Sequence, residues 1–134
     1  MKNIFAVIAG LIASIIIFSL FEYLSTMFYP FPKDLDVTNM TGMKDYISTL
    51  PSAALWIILG GYAIGSFVAG LIIGSISKSP LNKLPFIAGG ILTIAAIINL
   101  ISIPHPVWFM IVNVLLYIPL VIFGNSITGK NVVA

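Results

Sequence analysis

Few side chains in this sequence can take part in chemistry, and they are far apart. Glu22 stands in "FSLFEYLSTMFYP", residues 18 to 30, directly behind an uncharged run from Asn3 to Phe21. Tyr62, Asn99 and Asn113 place a phenol and two amides inside three later apolar stretches, and His105 is the only histidine. A carboxylate set in apolar sequence is suited to holding a proton. Amides and phenols at matching depth either clasp helices together or line a cavity. One histidine and no cysteine exclude His-rich zinc and haem sites, thiol nucleophiles and iron–sulfur clusters. Asp34, Asp36 and Asn39 superficially match the start of a calcium loop, but its glycine and closing bidentate glutamate are missing. No nucleophile, base and orienting group can be assembled, so the expectation is a protein without catalytic residues, metal or cofactor.

The elements that must position these residues follow from composition. Of 134 residues, 60% are hydrophobic and 7% charged, too few polar groups to cover a water-facing surface. The apolar residues form four runs, Ile4 to Phe21, Ala53 to Ile76, Leu84 to Ile103 and Val107 to Ile127. Each is close to the roughly 20 residues that cross the hydrocarbon layer as a helix. Runs such as "LTIAAIINLISI" lack the alternation of a barrel strand. The predicted fold is an all-α, antiparallel, membrane-spanning four-helix bundle forming one domain over 1–134, with spans at about 3–28, 52–77, 84–103 and 106–127. The first run is too long for a signal-peptide core and has no A-x-A-like site, so it reads as a retained span. Pro51, Pro85 and Pro106 each stand near a helix start, where a missing N–H costs nothing.

Lysine placement sets the expected topology. Lys2, Lys78, Lys83 and Lys130 share one side and Lys33 and Lys44 the other, which puts both termini on the cytoplasmic side of the membrane. The net charge of +2 is this anchoring pattern and gives no reason to invoke nucleic acid; the expected partner is the bilayer, with a homo-oligomer or larger membrane complex as the further candidate. Tyr23, Phe28, Tyr29, Phe31, Tyr46, Trp56, Trp108 and Phe109 gather at the outer helix ends as an aromatic belt. His105, between two prolines in "IPHPVWF", reads as an exposed turn residue beside Trp108. In the outer loop, about 29–51, Thr38 or Asn39 can cap a short amphipathic helix with Met40, Met43, Ile47 and Leu50 on one face, lying on the membrane or over the bundle mouth.

The second span carries the clearest packing pattern, "GGYAIGSFVAGLIIG". Gly61, Gly65 and Ala69 make one small ridge and Ser66, Gly70, Gly74 and Ser77 another, so this helix is built for close approach on two sides. In the first span, Ala6, Ala9, Gly10 and Ala13 form a small face, and Ser19, Glu22, Ser25, Thr26 and Tyr29 an arc nearly opposite it. That arrangement reads Glu22 as a carboxylate reaching headgroup water. The rival reading joins Glu22, Tyr62, Asn99 and Asn113 as a polar site, with Glu22 near the outer interface and both asparagines in the outer half of the membrane, above mid-depth Tyr62 and Tyr117.

"MFYPFPKDLD", "GYAIGSFVAGLI" and "IPHPVW" resemble the corresponding segments of small bacterial four-helix integral membrane proteins whose activity is uncharacterised. The resemblance covers most of the chain and implies the fold without site residues. Small multidrug transporters are similar in size and in having a first-helix glutamate, but theirs lies mid-membrane and their first loop is short. Small fluoride channels are similar in size alone. Two functions therefore stand: a structural or accessory membrane protein acting through helix packing, and a small channel or proton-coupled carrier using Glu22 and the outer polar cluster.

Overall fold

The computed structural model describes residues 2–30, 38–77, 83–102 and 105–129. Asp34 and Asp36, and the topology lysines Lys33, Lys78 and Lys130, lie outside them, as do the side chains of Met40 and Met43. The described residues form five helices: α1 (Lys2–Phe28), α2 (Met40–Thr49), α3 (Ser52–Ser77), α4 (Leu84–Ser102) and α5 (Val107–Gly129). Four of them, α1, α3, α4 and α5, are long and apolar enough to cross a membrane, and together they make an all-α four-helix bundle. Their outward surfaces carry Ile, Leu, Phe and Val in the open, Ile4, Ile16, Ile98 and Leu115 among them. That surface suits a hydrocarbon solvent, so the chain is an integral membrane protein in contact with lipid.

α3 is the spine. It packs along α1 on one side and along α5 on the other, α5 packs on α4, and the seam between α4 and α1 is sparse. Around the bundle the order is therefore α1, α3, α5, α4. The glycines of α3 explain the two tight seams. A Cβ at Gly65 would lie 2.5 Å from the Phe18 ring and 3.1 Å from the Ser14 carbonyl oxygen on α1, and one at Gly61 would strike Phe21. A Cβ at Gly70 would strike the Val121 carbonyl and one at Gly74 the Thr128 hydroxyl, both on α5. Gly124 of α5 answers from the other side, where a Cβ would meet the Phe67 carbonyl. Without side chains at these points the backbones approach closely enough for interhelical bonds: the Thr128 hydroxyl donates to Leu71 O (2.8 Å) and the Ser25 hydroxyl to Ala54 O (3.3 Å).

These pairs also fix direction. Gly10 lies by Ala69 and Ser25 by Ala54, so α1 and α3 are antiparallel; Trp56 pairs with Trp108, and Gly74 with Thr128, so α3 and α5 run parallel. α1's contact with α3 does not centre on the small face read from its sequence. Ser14, Phe21 and Ser25 share it with Gly10, because the glycines of α3 accept large side chains from α1. The polar arc of α1 consequently flanks this seam instead of standing opposite it.

Candidate functional site beneath α2

α2 begins where the sequence can cap it. The Asn39 side-chain oxygen accepts from the backbone N–H groups of Thr41 (3.0 Å) and Gly42 (3.3 Å), satisfying two otherwise unpaired donors of the first turn. The helix is tied down by Tyr46, whose hydroxyl donates to Tyr29 O at the end of α1 (3.1 Å). Burial of the Tyr46 phenol pushes its pKa above the ordinary value of 10.0, since the phenolate is the form that loses water. Ile47 is buried, and with Leu50 it roofs a cavity of about 220 Å³. α2 thus folds over the mouth of the bundle.

Below that roof stands Glu22, six residues before the end of α1, or about 9 Å by helical rise. The Tyr62 hydroxyl, arriving from α3, donates to Glu22 Oε1 at 2.8 Å. Glu22, Tyr62 and Asn99 line the roofed cavity, and the same three residues line a second cavity of about 270 Å³ between α1 and α4, where they are joined by Asn113 and Tyr117. All four polar residues singled out in the sequence therefore reach one place. Glu22 is exposed, and it is also the interhelical acceptor for Tyr62. Among the described residues it has no cationic partner.

The two asparagines behave differently from a clasp. Asn113 is 1% exposed, and its Oδ1 accepts from the Tyr117 hydroxyl one turn along the same helix. Its Nδ2 has no hydrogen-bond partner. A buried donor left unsatisfied costs roughly 1–3 kcal/mol, so a polar occupant of the adjacent cavity would be held there. Asn99 is exposed along the α4 rim and makes no hydrogen bond among the described residues. The clasp across the bundle is Tyr62 to Glu22, and the asparagines are lining.

The rings supply the walls. Phe18 meets Tyr62 edge-on with centroids 5.0 Å apart and Tyr117 at 6.2 Å, while Tyr62 and Tyr117 are 6.1 Å apart. These three aromatics line the second cavity with Glu22. His105 departs from the exposed-turn expectation. It is half-buried, stacks on the Phe109 ring at 4.8 Å and lines the roofed cavity. Pro106 turns the chain back so that Phe109, 1% exposed, enters the core and carries the imidazole with it. No sequence period announces that stack. Among the described residues there is no group of three metal-ligating side chains.

Gly61, Gly65, Ser66, Gly70 and Gly74 are all buried on α3. The four glycines face α1 or α5 as described above, and the Ser66 hydroxyl donates to Tyr62 O (2.7 Å), one turn back along α3. Comparisons with protein-family models, curated proteins and solved structures return no match.

Proposed function

We propose that this chain is a small solute-handling protein of the bacterial cytoplasmic membrane, a carrier whose polar site is Glu22, Tyr62, Asn99 and Asn113. The observation that carries the reading is that both cavities of the outer half reach one carboxylate, held by the Tyr62 phenol and facing no cation among the described residues. The Asn99 and Asn113 amides line the second cavity without bonding across the bundle, as a clasp would require. The accessory-protein alternative draws on the small-residue ridges of α3, and both are filled by α1 and α5 of the same chain. The lysine distribution puts the termini in the cytoplasm and α2 outside, so the roofed cavity opens outward. Protonation of Glu22 is the step by which such a site couples solute to proton movement.

Hydration of the cavity is the test, and the cysteine-free sequence makes it clean. Thr26→Cys, Asn99→Cys, Asp45→Cys and Val121→Cys variants in intact cells are exposed to a membrane-impermeant thiol reagent from outside. The first three are expected to react and Val121→Cys, fully buried against α3, to stay unmodified. Reaction at position 45 alone means a dry bundle and returns the accessory role. Reaction at position 45 only from the cytoplasmic side reverses the topology.

A further inference from the structure

The second cavity has a form that the solute reading does not itself require. Along α1 its wall is Leu11, Ile15, Phe18 and Glu22, spaced four, three and four residues apart, which is one face of a helix over about 16 Å. Facing it on α4 are Ile91, Ala95 and Asn99, all exposed, with the sparse α1–α4 seam between. The cavity is therefore a furrow with an apolar length and one polar end, and it opens sideways, through side chains that face lipid. The polar end holds two unsatisfied requirements. Glu22 lacks a positive partner among the described residues, and the Asn113 Nδ2 donor lacks an acceptor. Beside them the Phe18, Tyr62 and Tyr117 rings supply π-faces of the kind that hold quaternary ammonium groups.

Resting on the solute reading above, we infer that the furrow takes a single-chain cationic amphiphile from the bilayer: an ammonium head at Glu22, a carbonyl oxygen a few bonds away for Asn113 Nδ2, and an alkyl tail along Leu11 and Ile15. A cavity of about 270 Å³ is below the roughly 300–1,000 Å³ that encloses a drug-sized ligand, so it houses the head and leaves the tail along the lipid-facing furrow. Charge decides against an anionic lipid headgroup, whose phosphate would be set beside the Glu22 carboxylate.

The probe is lauroylcholine, the dodecanoic acid ester of a quaternary ammonium alcohol, measured as saturable uptake by protein-loaded nanodiscs above that of empty ones. Dodecyltrimethylammonium, which lacks the carbonyl, and methyl laurate, which lacks the charge, are the comparators. Lauroylcholine is expected to bind more tightly than dodecyltrimethylammonium, and methyl laurate not to saturate. Glu22→Gln, an isosteric change at an exposed residue, should weaken lauroylcholine about tenfold, or about 1.4 kcal/mol, since the quaternary ammonium then meets a neutral amide in place of a carboxylate. Ala95→Trp, at the exposed rim, should block the furrow without disturbing the core; unchanged melting of this variant verifies its fold. Equal binding by wild type and Glu22→Gln, saturable binding of methyl laurate, or tighter binding of a zwitterionic lysophospholipid overturns the proposal. No lauroylcholine binding by a protein whose Thr26→Cys and Asn99→Cys variants label from water also overturns it, and leaves the hydrated solute site standing.

Discussion

Gly70→Ala asks whether the α3–α5 seam depends on a missing side chain. The added Cβ would fall on the Val121 carbonyl oxygen and lie 2.8 Å from the Asn125 backbone nitrogen and 2.9 Å from the Val121 carbonyl carbon. These are backbone atoms of a helix, with no rotamer to change. To restore even the 3.4 Å at which ordinary contact begins, α5 must move off by at least 0.6 Å, judged from the nitrogen alone. The shift also strains the Thr128 to Leu71 bond one turn away and loosens the Phe67–Phe123 contact at 5.6 Å. Overpacking of this kind costs about 1–3 kcal/mol, and the backbone obstruction puts Gly70→Ala at about 2–3. Gly65→Ala is the instructive comparison. Its nearest obstacle is the Phe18 ring, which can turn at the expense of its edge-on contact with Tyr62, a loss of about 0.5–1.5 kcal/mol. At Gly60 and Gly90 a Cβ meets nothing within 4 Å, so alanine there should be neutral or, through helix propensity, stabilising by up to about 1 kcal/mol. The assay is reversible unfolding of the four variants in mixed micelles with increasing dodecyl sulfate. The expected order of stability is Gly60→Ala and Gly90→Ala above wild type or equal to it, then Gly65→Ala, then Gly70→Ala. If Gly70→Ala is as stable as Gly60→Ala, the account of α3 as a spine seated on α5 by its glycines is wrong.

Two further outcomes test other joints. Tyr46 has a folded pKa raised above its unfolded value, so the stability it gives the α2 roof is fully present below about pH 10 and is lost as pH rises through the folded value; proteolytic nicking of α2 by an alkaline-active protease, taken relative to its cleavage of an unstructured peptide at the same pH, should increase at alkaline pH, and Tyr46→Phe should abolish that pH dependence while weakening the roof at neutral pH. Thr128→Val removes an interhelical hydrogen bond to Leu71 O and should cost about 0.6 kcal/mol and no more than about 1.7 in the same micelle assay, and an unchanged midpoint would mean the bond is not made in the membrane.

The sequence made the elements legible because a bilayer constrains them heavily. A helix must satisfy all its backbone groups internally, so span length and apolar content go far toward locating α1, α3, α4 and α5, and the observed ends, such as Ser52–Ser77, fall at prolines and polar residues. A cap at Thr38 or Asn39 was legible because only a few side chains accept from the first turn, and the helix uses Asn39. Depth was legible too: counting residues from the helix ends brings Glu22, Asn99 and Asn113 to one level. What could not be read was adjacency. Spacing within α1 does not say that Glu22 meets Tyr62, that His105 stacks on Phe109, or that α3 separates α1 from α5. Those depend on which ridge enters which groove, and "small-xxx-small" spacing on α3 offers two seats without naming their occupants. The α1 seam shows the same limit: Gly10 of its small face does enter it, but Ser14, Phe21 and Ser25 enter beside it, because the glycines of α3 admit larger side chains.

The open seam follows from the same distribution of small residues. In water, a furrow lined by Ile15, Ile91 and Ala95 would be closed by the hydrophobic effect, because exposed apolar surface costs about 25 cal/mol per Å². In hydrocarbon that force is absent, since a lipid tail is as good a neighbour for isoleucine as another helix is, and helices close only where small residues permit tight packing or polar groups bond. Gly61, Gly65, Gly70, Gly74 and Gly124 are committed to the α1–α3 and α3–α5 seams, and Gly89 to Ile118 of α5. Gly90 on α4 meets nothing, and α1 offers α4 branched and aromatic side chains. The bundle can therefore be firmly held by α3 and still leave α1 and α4 apart, at no cost that lipid does not offset. An amphiphile in that gap would bring no advantage in burying its tail, so its affinity must come from the polar end. That makes Glu22, with Asn113 and the three rings beside it, the source of selectivity in the furrow.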